Sequence, residues 1–203
     1  MNIFLIDVDN TLARFQPTAE LYKNTLLKLD RTKYSLLGYG MIVLLKVFWW
    51  LPAVVTFQRQ VIMSLLAAVD TRTLEAESEK IAARVSSDYE QGFKRILDRF
   101  KQSGDKVFLL THCPAPIAQK LKVKLNFDGE YSIRVEKRPV VLNKLDVLRR
   151  IRADNRGATI VYFADDLIDL SALLAADRGF LVNASPFTRL VAGWFFKRIG
   201  IAA

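Results

Sequence analysis

A short apolar run that stops abruptly at carboxylates opens this chain: Ile3-Phe4-Leu5-Ile6 is followed by Asp7-Val8-Asp9. Four consecutive apolar residues do not suit a sheet with one wet face, where alternate side chains meet water. They suit a strand covered on both faces, as in a parallel sheet. The design recurs at 107–110 (VFLL, then Thr111), at 159–163 (TIVYF, then Asp165 and Asp166) and at 179–182 (GFLV). Helical patterns lie between and after these runs: Asp88–Gln102 ending at Gly104, Pro116–Lys124, Leu142–Arg152 ending before Gly157, Asp169–Ala176, and Pro186–Ile199 ending at Gly200. The alternation predicts an α/β fold with a doubly wound parallel sheet. Ligands of such sheets bind beyond the carboxyl ends of the strands, where Asp7, Thr111 and Asp165 all fall.

The interval from about Ala13 to about Ala83 breaks the alternation with helical, apolar and aromatic sequence and no convincing strand. It reads as a helical cap inserted after the first strand. The expected division is a catalytic core of residues 1–12 and 84–203, with the cap at 13–83. A chain of 203 residues accommodates one substantial core and a small accessory module.

Side chains two apart at an extended strand end point the same way, so Asp7 and Asp9 can face one phosphate together. One carboxylate would attack phosphorus while the other protonates the leaving alkoxide and then activates water. The competing reading is an Asx-rich turn. Thr111, after VFLL, offers a hydroxyl to a phosphoryl oxygen, or is simply β-branched packing. Lys144 opens the helix NKLDVLRRI, where a cation would neutralise phosphoryl charge; Lys137 and Arg138 just upstream are rivals. Asp165, Asp166 and Asp169 crowd three acids into five residues. They read either as the start of a capped helix or as one side of a Mg²⁺ site that Asp7 completes. His112, the only histidine, has no partner cluster for a metal site but could touch substrate, and Cys113 reads as an inert small residue.

These segments, in this order, resemble the haloacid dehalogenase superfamily: DxDxT as Asp7, Asp9 and Thr11, a strand ending in Thr111, a helix-borne Lys144, and an acidic strand end with Asp165 and Asp169. The resemblance covers residues 1 to about 12 and about 100 to 185. It implies a Mg²⁺-dependent phosphomonoesterase in which Asp7 is the nucleophile, Asp9 the general acid/base, and Thr111 and Lys144 hold phosphate. Asp7, Asp165 and the backbone carbonyl of Asp9 would bind the metal, with Asp169 in support. The helical insert resembles the cap of phosphoserine-phosphatase-like members. Ala164 stands where the family usually has Gly. The acid soon after the first motif and the Gly-Gly after the second, both expected for an amino-acid phosphate, are replaced by ARFQPTAE and THCPAP.

Residues 35–57, SLLGYGMIVLLKVFWWLPAVVTF, are long enough to raise the question of a membrane span. A single crossing would separate Asp7 from Asp165. A helical hairpin with legs near 36–50 and 54–69 and a turn around Pro52 fits instead, each leg too short to cross. A monotopic contact through residues 35–69 follows as an expectation, with Trp49, Trp50 and the tyrosines at headgroup level. The C-terminal helix, with Phe187, Trp194, Phe195 and Phe196 beside Arg189, Lys197 and Arg198, repeats the theme. A net charge of +9 favours anionic partners, and from Arg31 to Ala68 there is no Asp or Glu. No nucleic-acid recognition motif appears. The opening MNIFLIDVDNT lacks a basic leader, and the single cysteine forms no internal disulfide. A cytoplasmic enzyme working at the membrane face is therefore expected, on a lipid-linked or amphiphilic phosphate. The alternatives are a small-metabolite phosphatase free in solution and a non-catalytic interaction module.

Overall fold

The computed structural model describes residues 1–48, 52–195 and 199–202. Its first strand, β1 (Asn2–Ile6), is the middle of the sheet. On one side lie β2 (Lys106–Pro114) and then β3 (Gly129–Ile133). On the other lie β4 (Thr159–Ala164), β5 (Arg178–Val182) and β6 (Ile199–Ala202), giving the order β3-β2-β1-β4-β5-β6. Every neighbouring pair runs parallel, with Leu5 level with both Phe108 and Tyr162.

The doubly wound α/β expectation holds, and the unbroken apolar run explains it. Phe4 and Ile6 join one core layer with Val8, Leu109 and Phe163, while Ile3 and Leu5 join the opposite layer with Leu110, Ile160 and Tyr162. Alternate side chains thus enter two cores, and both faces of β1 are dry. One layer is covered by α4 (Thr71–Gln91), α5 (Phe93–Phe100) and α6 (Ala115–Lys124). The other is covered by α7 (Lys144–Asp154) and α8 (Leu170–Ala175).

Between β1 and β2 the described chain is helical: α1 (Pro17–Leu29), α2 (Arg31–Phe48), α3 (Pro52–Leu66), then α4 and α5. Pro17 sits at the start of α1 and Pro52 opens α3, positions where a missing N–H costs nothing. The expected hairpin legs are α2 and α3, of 18 and 15 residues. Pro52 begins the second leg rather than making the turn. Helix α4 is capped by Asp70, whose Oδ1 accepts from the Thr73 N–H at 2.8 Å, and it runs unbroken through residues 83 and 84.

Three local expectations are corrected. The helix over Asp88–Gln102 is divided by Gly92 into the end of α4 and α5. Strand β3, GEYSI, has no apolar run to announce it; Gly129 is needed because a Cβ there would lie 2.7 Å from the Phe108 ring. The last helix, α9 (Pro186–Phe195), stops short of Ile199, and Ile199–Ala202 pairs with β5 as an edge strand. Gly200 is thus a strand residue with the Phe180 ring 2.6 Å from where its Cβ would be, not a helix cap. Trp49, Trp50 and the segment Phe196–Arg198, all named for membrane contact, lie outside the described residues.

Candidate active site

Strand order turns back between β1 and β4, and the crevice beyond their carboxyl ends holds the predicted residues. The Asp7 N–H still bonds to Phe163 O at 3.0 Å, extending the β1–β4 pairing by one residue. The chain then folds over itself: the N–H groups of Thr11, Leu12 and Ala13 all lie 3.2–3.3 Å from Val8 O, and Asn10 takes a left-handed φ of 54°. Asn is one of the few residues that occupies that region at small cost. The turn is pinned from β5 by Asn183 Nδ2, 3.0 Å from Asn10 O. It aims Asn10 Nδ2 at Asp165 Oδ2, 3.1 Å away, so the first and last acidic segments meet.

Asp7 is buried, with Oδ1 accepting from the Val8 N–H at 2.8 Å and Oδ2 lying 3.1 Å from Lys144 Nζ. Thr111 is also buried, with its hydroxyl accepting from the Cys113 N–H at 3.0 Å, and it lowers the pKa of Asp7. Thr111 stands where the β2–β3 pairing shifts register between Leu110 and Pro114. Lys144 is the first residue of α7, held in place by the Asn143 cap, whose Oδ1 accepts from the N–H groups of Leu145 and Asp146 at 3.1 and 3.4 Å. Its rivals Lys137 and Arg138 are exposed.

Lys144 Nζ also lies 2.5 Å from Asp169 Oδ2 and 3.0 Å from the Tyr162 hydroxyl, which itself donates to Asp169 Oδ2 at 2.8 Å. Asp169 stands at the N-cap of α8 without making a side-chain cap bond. Its carboxylate accepts from Lys144 and Tyr162 instead of capping the helix. Asp9 faces the cap: its carboxylate accepts from Thr18 N–H and Oγ1 at 3.4 and 3.3 Å.

Charge in the crevice is unbalanced. Burial and the charge on Asp169 push Asp7 upward against the pull of Lys144. Burial and then Asp7 push Asp9 up to about 6 and Asp165 up to about 7, with hydrogen bonds from Thr18 and Asn10 opposing. Asp169 alone of these acids is lowered, because Lys144, His112 and the bonds from Lys144 and Tyr162 outweigh its burial. Among the described residues no three His, Cys, Asp or Glu side chains are grouped to hold a metal ion by themselves.

Two residues of the site escape a reading of the sequence by strand ends. Arg59, on α3 of the cap, reaches in so that Nη1 lies 3.1 Å from His112 Nε2. Its guanidinium is lowered by burial and held up by Asp169, Asp7 and Asp9. His112 Nε2 also lies 2.9 Å from Leu142 O, and one ring nitrogen either donates to that carbonyl or accepts from Arg59, not both. Burial, then Lys144 and Arg59, push His112 down to about 3, so it is neutral near pH 7 and no cation adds to Arg59 there. Tyr162, the other, was visible only as the one polar tip within TIVYF.

The crevice opens into a cavity of about 670 Å³. Asp7, Asp9, Asn10, Asp165 and Asp169 line its floor. The cap contributes Tyr22, Leu27, Tyr34, Tyr39, Ile62 and Met63, together with Lys23 and Arg59 and no acid. Cys113 is buried and unpaired by disulfide, with its thiol raised by burial, as expected of an inert residue.

No curated protein matches the sequence. Among solved structures, a protein of unknown function from Bordetella pertussis Tohama I superposes with a TM-score of 0.76 at 15% identity, over 98% of this chain and 97% of that one. A hydrolase of the same superfamily from Salmonella enterica serovar Typhi gives 0.69 at 18% identity, over 94% and 65%. A phosphoserine phosphatase in apo form gives 0.64 at 16% identity, over 98% and 92%. At these identities the likeness is one of fold. The sequence model for haloacid dehalogenase-like hydrolases matches residues 4–174, the span that carries Asp7, Asp9, Thr111, Lys144, Asp165 and Asp169. The chain belongs to the haloacid dehalogenase-like hydrolase family.

Proposed function

We propose that the protein is a Mg²⁺-dependent phosphomonoesterase that forms an aspartyl-phosphate on Asp7, acting on an amphiphilic phosphate. The observation that carries the reading is one cavity with a floor of Asp7, Asp9, Asp165 and Asp169 and a largely apolar, aromatic wall.

The site suits a hard divalent cation. Asp7 and Asp165 would supply two carboxylates and the Asp9 carbonyl a third oxygen, and burial followed by the charge on Asp7 pushes Asp9 and Asp165 up to about 6 and 7. Mg²⁺ characteristically takes one or two protein carboxylates and completes its shell with water and phosphate oxygens, so no closed three-acid set is required. When bound, it would neutralise charge on the phosphoryl oxygens.

The chain's own residues do the rest. A carboxylate oxygen of Asp7 attacks phosphorus, and the bond from phosphorus to the leaving alkoxide breaks. Asp9, with a pKa near 6, gives its proton to that alkoxide. It then takes a proton from a water that attacks the acyl phosphate, releasing inorganic phosphate and restoring Asp7. Lys144, already paired with Asp7 at 3.1 Å, and the Thr111 hydroxyl would stabilise the phosphoryl oxygens. Asp169 and Tyr162 hold the ammonium in position.

The wall argues for the substrate's other end. Two of the solved structures are of phosphoserine phosphatase with a phospho-aspartyl mimic or substrate. Here the cap side of the cavity offers two cations and no carboxylate to an amino-acid ammonium, and much apolar surface to a hydrocarbon.

Asp7→Asn keeps the side-chain shape and leaves Lys144 paired with Asp169. It should reduce phosphate release by at least about 10³-fold with an unchanged folded state; near-normal turnover in that variant refutes the mechanism. A Mg²⁺-containing assay over phosphatidylglycerophosphate, phosphatidate, phosphoserine and sugar phosphates tests the substrate class. A clear preference for phosphoserine or sugar phosphates refutes the amphiphile.

A further inference from the structure

The outside of the cap continues the apolar character of the cavity. Leu29 at the end of α1, Leu36 and Tyr39 on α2, and Phe57 on α3 are 64%, 72%, 72% and 55% exposed. Tyr39 belongs to both surfaces, since it also lines the cavity, and so marks the mouth. From Arg31 to Val69 the sequence has no Asp or Glu, and Lys33 is exposed on α2, with Asp30 just before that helix.

Size supplies the second argument, which rests on the amphiphile reading above. A cavity of about 670 Å³ encloses a molecule of drug size. A two-chain lipid phosphate would fit its headgroup and glycerol inside and leave its tails beyond the mouth. Hydrocarbon left in water is strongly unfavourable, so the mouth must open against an apolar phase. Among the described residues no single helix is long and apolar enough to cross a membrane. The pair Ala53–Leu66 and Thr71–Gln91, meeting at 120°, has the length jointly. Yet α4 carries Glu75, Glu77, Glu79 and Lys80, and it buries Ile81, Ala82 and Val85 in the core. A lipid contact of this face would therefore be interfacial.

We propose that the α2–α3 face of the cap docks on an anionic bilayer, with the cavity mouth at the lipid surface, so that substrate enters directly from the membrane. The charge pattern favours this occupant over a second copy of the chain. A symmetric contact would set the acid-free stretch 31–69, with exposed Lys33, against itself, whereas an anionic leaflet supplies the missing sign.

The test is co-sedimentation of the full-length protein, in EDTA so that nothing is hydrolysed, with vesicles of phosphatidylcholine alone and of phosphatidylcholine with 30 mol% phosphatidylglycerol (about a third). Binding is expected to the anionic vesicles and to fall with salt. Leu36→Glu and Phe57→Glu lie outside the cavity lining. Each should weaken vesicle binding about tenfold and the pair more, while kcat/KM on a water-soluble aryl phosphate stays at the wild-type value. Hydrolysis of phosphatidate in vesicles should fall with binding. Absence of vesicle binding, or binding indifferent to both substitutions, overturns the proposal. So does a wild-type dimer in sedimentation velocity that the same substitutions dissociate. Loss of docking with phosphatidate in detergent micelles still preferred would leave the substrate reading standing, and docking without that preference would overturn the substrate reading alone.

Discussion

Lys144 is the ammonium within reach of two buried carboxylates, 3.1 Å from Asp7 and 2.5 Å from Asp169, and burial alone would drive its proton off. The two acids win, and its pKa is raised. Replacing it with Met keeps the bulk and deletes the charge. Breaking a buried pair by removing one partner costs about 3–5 kcal/mol, so Lys144→Met should be strongly destabilised as well as inactive. The pH dependence has a defined sign. Without Lys144 the buried acids have folded pKa values above their unfolded ones, so the folded state holds more protons and stability falls as pH rises. Urea unfolding in EDTA at pH 5 and pH 8 should show the deficit shrinking at the lower pH; a deficit independent of pH would contradict the charge account. At this scale the sequence was informative where chemistry and position coincide. Asp7 and Asp165 directly follow β1 and β4, whereas Thr111 lies within β2, which runs on to Pro114; a strand end in a parallel sheet faces the ligand crevice. Arg59 does not: it belongs to a helix 53 residues away from its partner His112, and no local pattern links a cap helix to a strand end. Tyr162 was hidden because its ring packs like its apolar neighbours and only the hydroxyl is functional.

Elements position these side chains through their ends. Helix α7 begins at Lys144 because Asn143 caps it, and the cap fixes both the helix start and the ammonium. Asn143→Ala should cost about 1 kcal/mol, a fall in Tm of about 2–4 °C for a chain of this size. The larger effect should be on turnover, since a frayed first turn lets Lys144 drift from Asp7; a sub-ångström loss of placement is enough to slow a positioned reaction. Thermal unfolding beside kcat separates the two, and a loss of kcat no greater than the stability loss implies would show that the cap does not position the lysine. The elements that the sequence hid are the ones whose cause is tertiary. Strand β3 exists because Phe108 on the neighbouring strand leaves room only for Gly129. Strand β6 exists because β5 has an open edge, which four residues with a central glycine can cover. Gly92 divides α4 from α5 although the pattern Asp88–Gln102 reads through it, because periodicity registers which face is apolar and not where the axis bends.

At the scale of the molecule, β1 and β4 are neighbours whose chains depart in opposite directions, and their two acidic ends are forced together by the sheet. That proximity opposes folding. Asp165 is pushed up to about 7 by burial and by Asp7, and Asp9 to about 6. Each therefore binds its proton more tightly folded than unfolded, so metal-free stability should be greatest below about pH 4 as far as these groups decide it, and should decline up to about pH 7. A divalent cation acts in the opposite sense. It binds the folded arrangement, requires the acids deprotonated, and stabilises by mass action, about 2.7 kcal/mol at a hundredfold excess over Kd. For a chain of about 200 residues that is a rise in Tm of roughly 5–10 °C. The rise with Mg²⁺ should be larger at pH 8 than at pH 6, because at pH 6 protons still compete for Asp165. Asp165→Asn should flatten the metal-free decline and remove most of the Mg²⁺ response. Differential scanning fluorimetry at the two pH values, with and without Mg²⁺ and with no substrate present, reads all of this without reference to turnover. A Mg²⁺ response equal at both pH values, or one retained in full by Asp165→Asn, would mean that the cation sits elsewhere and that the acids of the switch point are held together by protons alone.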